Sequence, residues 1–230
     1  MATSGTYTFN PKVAECFDEA FERAGMDPAK VEVRHIVSAK RSLNLLLRSE
    51  LAADQVNLWT VAEYTSAPVA DANSLSLPTG AIDVLEATTR DSSGIEVPME
   101  PISRSDWRAI AEKTQTGRPS QYWVDRSLGA KTLHFWQAMP ATSYTLVMNV
   151  LYSIEDGGDL TNEAAVPDLW HDVICAGLAK RIAEKFNPER ADRLEMKFAQ
   201  AHKLAKGSNR ERASMVITPD YGGRGGRWNW

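Results

Sequence analysis

Tyr144, Leu146, Met148, Val150, Tyr152 and Ile154 place six apolar side chains at every second position of one short run. Only an extended strand gathers such residues on one face, because successive strand side chains point to opposite sides. A strand that is apolar on one face needs a layer over that face and neighbours along its edges, so this run commits the middle of the chain to a half-buried antiparallel sheet. Its other face (Thr145, Val147, Asn149, Leu151, Ser153) is mixed, which predicts that a second surface covers part of it.

Toward both ends the apolar period lengthens to that of a helix. Asn10-Pro11 reads as a cap and first helical residue, followed by one stripe of Val13, Phe17, Ala20, Phe21 and Ala24, with Gly25 as the stop. Asp27-Pro28 repeats the signal and opens a second helix reaching about Ala53, with Ile36, Leu43, Leu46, Leu47 and Leu51 inward. A third helix follows Pro167, with Leu169, Val173, Ala176, Ile182, Ala183 and Phe186 inward, and closes at Asn187-Pro188. A fourth runs from Glu189 to about Lys206, with Leu194, Phe198, Ala201 and Leu204/Ala205 inward and Gly207 as the stop.

Between them, alternation from Val56 to Tyr64 predicts a first strand and Ser66 to Ser76 a polar loop. Further strands are expected near Ile82–Arg90, Glu96–Glu100, Gln121–Arg126 and Thr132–Trp136. The economical packing is an α+β fold: a helical bundle formed by the N- and C-terminal helices, an inserted antiparallel β lobe, and an extended C-terminal arm. The expected boundaries are 1–55 for the N-terminal helices and 56–156 for the β lobe, with a short helix near 103–111. The C-terminal helix pair takes 157–206 and the arm 207–230.

At 230 residues and 43% hydrophobic composition the chain can bury a proper core. Its net charge of −4 is unevenly spread: residues 1–179 hold 14 Lys+Arg against 24 Asp+Glu, and residues 180–230 hold 12 against 6. The basic final fifth is therefore expected to meet an acidic surface. No apolar run reaches membrane-spanning length, and Met1-Ala2-Thr3-Ser4-Gly5 has no basic stretch followed by an apolar one, so neither membrane nor secretory leader is expected. Cys16 and Cys175 fall in amphipathic helical patterns and are expected as buried thiols in a reducing compartment.

The chemistry of an enzyme is hard to find. His35, His134, His171 and His202 are scattered without metal-ligand spacing, and there is no Cys-x-x-Cys pair. There is no Gly-x-Ser-x-Gly turn, and Gly222–Gly226 is followed by Arg227-Trp228-Asn229-Trp230 rather than by a helix. Glu155, Asp156 and Asp159 read as a solvated turn. No catalytic residue, metal or cofactor is therefore assigned.

What the chain does carry is an ordered set of words. They are Leu77-Pro78, Ile82-Asp83-Val84-Leu85, Arg90-Asp91, Ser103-Arg104-Ser105-Asp106-Trp107, Gly117-Arg118-Pro119 and Asp125-Arg126. Their order from about Leu77 to Pro140 resembles the head-to-tail adaptor, or head-completion, proteins of tailed bacteriophages. Glu112 stands beside Lys113 where that pattern has Asn, and Trp107 stands where Tyr is commoner. The resemblance implies a structural neck protein of the virion, assembled in the host cytoplasm. It would form a ring, dodecameric in that family, beneath the portal protein, and meet a tail tube or nozzle protein on its other side. DNA would pass through the lumen without sequence-specific binding. A tail-terminator or tail-tube-joining protein, or a small virion hydrolase or nuclease, are the rival readings.

Two residue sets follow as expectations. Arg104, Arg118 and Arg126, with acidic neighbours Asp83, Asp91, Asp106 and Asp125, suit ion pairs between ring subunits, because a closed ring presents two different patches per subunit. In the glycine-rich arm, Arg224, Arg227, Trp228 and Trp230 are expected to grip the portal, since Trp and Arg are favoured interface anchors.

Overall fold

A computed structural model describes residues 5, 9–53, 57–68, 70–140 and 144–209. The helices are α1 (Val13–Ala24), α2 (Val33–Leu45), α3 (Leu51–Ala53), α4 (Arg104–Ala109), α5 (Asp168–Phe186) and α6 (Ala191–Ser208). The strands are β1 (Val61–Ser66), β2 (Ser74–Ser76), β3 (Ala81–Asp91), β4 (Glu96–Pro98), β5 (Glu100–Pro101), β6 (Gln121–Asp125), β7 (Thr132–Trp136) and β8 (Tyr144–Tyr152). The fold is α+β, with helices toward both ends of the chain and the β lobe between them.

One core belongs to the helices: Phe17, Phe21, Leu43, Leu46, Trp170, Ile174, Leu178, Ile182 and Phe198 meet in a single buried cluster. α5 runs through its middle and is buried nearly all round, as expected of a helix packed by α1, α2 and α6 together. The second core lies between two four-stranded sheets, ordered β1-β8-β3-β4 and β2-β7-β6-β5. Leu146, Met148 and Val150 of β8 face Tyr122, Leu133 and Phe135 of β6 and β7 across it. Full burial of each such side chain stabilises by about 1.5–3 kcal/mol. Val147, on the opposite face of β8, is also buried, while Asn149 beside it on that face is exposed. Ile154, the last residue of the alternating run, enters the helical core and so ties the lobe to the bundle.

The sheets are antiparallel except for the β5–β6 pair, which is parallel (Glu100↔Gln121, Pro101↔Tyr122). That short contact arises because the chain leaves β5 through α4 and returns along the same direction.

Several local expectations shift. α1 begins after Lys12 rather than Asn10, because the Val13 and Ala14 amides donate to the Asn162 and Leu160 carbonyls, so a neighbouring loop does the capping. Asp27-Pro28 makes only a 3₁₀ turn, and α2 starts after Glu32, whose amide donates to Nδ1 of His35 at 2.9 Å. The second helix is not continuous to Ala53: it widens to a π turn over Leu46–Glu50. The first strand starts at Val61, because Asn57 bonds the Leu51 carbonyl and accepts from the Thr60 amide, which winds Leu58–Thr60 into a turn. The expected polar loop contains β2, an edge strand paired with β7. α6 runs one residue past Gly207, where the Ser208 hydroxyl donates to the Ala205 carbonyl. Leu169, Phe186 and Leu204 are exposed rather than inward. The first two stand in the end turns of α5, and α6 buries Ala205 in place of Leu204.

Candidate assembly surface

The word Ser103-Arg104-Ser105-Asp106-Trp107 folds into the first turn of α4. The Ser103 hydroxyl accepts from the Asp106 amide at 3.1 Å while the Asp106 carboxylate accepts from the Ser103 amide at 3.3 Å, a reciprocal cap. So fixed, α4 lays Trp107 onto the outer face of the second sheet. Trp123 and His134 are cross-strand partners in register, and their rings stack at 5.1 Å and 13°. Trp107 lies 5.4 Å from His134 and 6.5 Å from Trp123. The Arg104 guanidinium sits 5.9 Å above Trp123 and the Lys113 ammonium 5.7 Å from Trp107, each within cation–π range. Trp136 donates from Nε1 to the Glu112 carbonyl at 3.0 Å. Burial in this stack pushes the His134 pKa down, so its ring is neutral and stacks without a desolvated charge. Trp107 is buried beneath α4 outside the two cores, and Trp123 and Trp136 are half-buried.

Beside the stack opens a groove of about 560 Å³ lined by Asp83, Ile102, Arg104, Trp123, Asp125 and Arg126. Arg126 reaches Asp83 with two parallel hydrogen bonds, Nε to Oδ1 at 3.0 Å and Nη2 to Oδ2 at 2.5 Å. The pair therefore joins β3 of one sheet to the end of β6 in the other. Asp125 turns back to accept from the Ser127 amide at 3.1 Å. Of the three expected contact arginines, Arg104 and Arg126 thus come together, both exposed at the groove.

Arg118 does not join them. It is half-buried on the far side of the lobe, where Nε donates to the Thr89 hydroxyl at 2.8 Å and Nη2 to the Thr89 carbonyl at 2.7 Å. Its guanidinium also lies 5.1 Å from the Tyr144 ring. The word Arg90-Asp91 shapes the β3–β4 hairpin. Asp91 Oδ1 accepts from the amides of Ser93 and Ile95, both at 2.9 Å, while Arg90 forks onto Glu96. The Ser93 hydroxyl, donating at 2.6 Å, and then those amides hold the Asp91 carboxyl below the usual carboxylate range, and Arg90 does the same for Glu96. The ordered words are thus joints between strands first. Pairing inside the subunit leaves Arg104 as the groove cation with no carboxylate partner among the described residues. Arg224, Arg227, Trp228 and Trp230 lie outside the described residues.

The helical side offers different chemistry. Cys16 and Cys175 are free and buried, and the Cys16 neighbour together with burial pushes the Cys175 thiol up. They line a cavity of about 400 Å³ with His171, whose two ring nitrogens have no hydrogen-bond partner among the described residues and whose pKa burial pushes down. Among the described residues no three His, Cys, Asp or Glu side chains are gathered to hold a metal ion, and no helix is long and apolar enough to cross a membrane. The aromatic stack escaped the sequence reading because it depends on the β6–β7 register. The alternation of Trp123 and His134 with buried Tyr122, Val124, Leu133 and Phe135 is the signal that carries it.

No curated protein matches this chain. The model of the SU10 adaptor protein family matches residues 14–220, spanning α1, the whole β lobe and α6. The chain belongs to the SU10 adaptor protein family and is a phage adaptor of the kind its ordered motif words resemble.

Proposed function

We infer that this adaptor is a structural component of the virion neck, forming a ring beneath the portal that joins head to tail and lets DNA pass. The observation that carries the reading is the family match across residues 14–220, which includes every motif word. The ring number follows the resemblance and is twelve. Portal protein on one face and a tail tube or nozzle protein on the other are the partners, met first in the host cytoplasm. DNA slides through without sequence readout, since a conduit that gripped phosphates would stall its cargo.

Arg104, Arg118 and Arg126 serve the contact between neighbouring subunits. Arg104 and Arg126 do so from the groove rim, and Arg118 by holding β3 at Thr89 against the Gly117-Arg118-Pro119 turn. The portal contact belongs to the arm, through Arg224, Arg227, Trp228 and Trp230. Its basic charge and paired Trp residues support that role. Each contact is weak alone, and a ring of copies acting on a ring of portal subunits converts weak contacts into a tight joint through effective concentration.

Mass photometry of the protein mixed with portal rings from the same phage tests this. A rise in portal mass by a full ring of subunits is expected. Truncation should spare Asn209, because its Oδ1 accepts from the Leu58 amide at 2.9 Å and closes the end of the bundle. A chain ending at Asn209 should lose portal binding while keeping its thermal stability. Unchanged binding sinks the arm assignment. Absence of portal binding, with rings formed on tail protein instead, moves the protein to the tail side of the neck.

A further inference from the structure

α2 turns an unusual face to solvent. With about 100° of rotation per residue, Val33, Val37, Lys40, Arg41 and Leu45 fall on one outward arc. Val33, Val37 and Leu45 are 76%, 54% and 51% exposed, so the arc is aliphatic as well as basic. Arg34 lies on it too, paired with Glu32 at 3.0 Å, and Lys40 pairs with Asp159 at 3.4 Å. Lys185 of α5 extends the positive field, reaching the Ser38 and Ser42 hydroxyls at 3.1 and 2.6 Å. Burial and the nearby Arg41 and Arg181 push the Lys185 pKa down. Arg41 has no ion pair among the described residues. Three exposed aliphatic side chains along one arc beside the unpaired Arg41 form a surface that an acidic partner face would suit.

A matching face exists on the same subunit. α1 buries Val13, Phe17, Ala20, Phe21 and Ala24, and turns Glu15, Asp18, Glu19 and Glu22 outward. Glu19 is committed to Arg23, and Arg23 also to Asp172, but Asp18 and Glu22 have no ion pair among the described residues. Phe9 and Leu169, exposed by 69% and 60%, stand at the same end of the bundle, where Phe9 and the α5 residues Asp168 and His171 line one cavity.

The two faces cannot meet within one subunit. α1 touches α5 on the side of Asp172 and Cys175, whereas α2 and the π turn after it touch it on the side of Gly177, Arg181 and Lys185. On a helix of 3.6 residues per turn these two sides point roughly 150° apart. A basic–aliphatic face on one flank and an acidic face on another are what a head-to-tail contact of a cyclic ring requires.

We propose that the outward face of α2, centred on Val37, Arg41 and Leu45, docks on the acidic face of α1, centred on Asp18 and Glu22, of the next copy of this chain. This rests on the ring reading above and deepens it by giving the bundle, and not only the lobe, a subunit contact of fixed polarity. Opposite charges select the order of packing, and the aliphatic residues supply buried area.

Charge reversal in the full chain tests it, read by mass photometry and sedimentation, alone and on portal rings. R34E/R41E and D18K/E22K should each weaken ring assembly by about tenfold or more, since like charges then face each other. Both pairs combined in one chain should bring assembly back to near the wild-type level, because every contact then carries the complementary pair again. That rescue separates subunit contact from portal contact, since the portal is unchanged in all four samples. Thermal unfolding, expected to be unaltered for these exposed positions, checks that the variants fold. As a second reading, V37C/E22C with a short bismaleimide should give a ladder of covalent oligomers. Wild-type assembly by R34E/R41E, or no recovery in the combined variant, overturns the contact while leaving the ring intact. Absence of any wild-type ring overturns both.

Discussion

Removing the Arg118 side chain separates its work inside the subunit from any contact outside it. Arg118→Ala deletes two short charge-assisted hydrogen bonds to Thr89, a residue with no exposed surface, and the ring contact with Tyr144. Hydrogen bonds to a charged group contribute about 1.5–3 kcal/mol each, and stranded buried partners cost about 1–3 kcal/mol. Arg118 is half-buried and water reaches part of the site, so the lower halves of those ranges apply. A loss of about 2–4 kcal/mol follows. In a chain of this size each kcal/mol moves the melting temperature by roughly 2–4 °C, so a fall of about 5–15 °C is expected. Arg118→Lys keeps the charge but cannot fork onto the hydroxyl and carbonyl together, and should recover less than half of the loss. Equilibrium denaturation of dilute protein, below any ring-forming concentration, gives the value. A stability within about 0.5 kcal/mol of wild type would refute the strand-joining role and leave Arg118 to act only between subunits.

Three further outcomes follow from the geometry. At Gly177 an added Cβ would sit 2.9 Å from both Leu46 methyls and from Phe198 Cε2. Gly177→Ala gains about 1 kcal/mol of helix propensity and loses about 1–3 kcal/mol to overpacking, so thermal unfolding should show a neutral to modest net loss, and Gly177→Val a larger one. His171 and His134 have pKa values lowered by burial from the ordinary 6.5, so above that value folded and unfolded rings are both neutral. As pH falls below about 6.5 the unfolded chain takes protons first and stability drops; denaturation midpoints between pH 7.5 and 5 should show this, with a shallower slope in His171→Leu. Ser103→Ala removes the α4 cap and should cost about 1 kcal/mol, while Trp107→Ala opens the aromatic stack and should cost about 2–4 kcal/mol by urea unfolding.

The period of the apolar residues determined the element types without help from the rest of the molecule. Val13 to Ala24 reads as a helix and Tyr144 to Tyr152 as a strand because side-chain direction in each follows from the local backbone alone. For the same reason Thr132–Trp136 and the left-handed Gly25 that ends α1 were legible. Element starts were less so. α1, α2 and β1 begin where a distant group or a local side chain satisfies the free amides, as the Asn162 carbonyl does for Val13. The motif words were visible as words, but their partners were not. Arg118 finds Thr89, 29 residues away, and Arg126 finds Asp83, 43 residues away, only because two sheets stack. The outward face of α2 was present in the sequence as Val33, Val37, Arg41 and Leu45, yet only packing on α5 decided which side of that helix would be left in solvent. Local periodicity is set by bond geometry over a few residues, whereas a surface is what remains after every long-range contact has been made, so the sequence named the elements and the tertiary structure chose the faces.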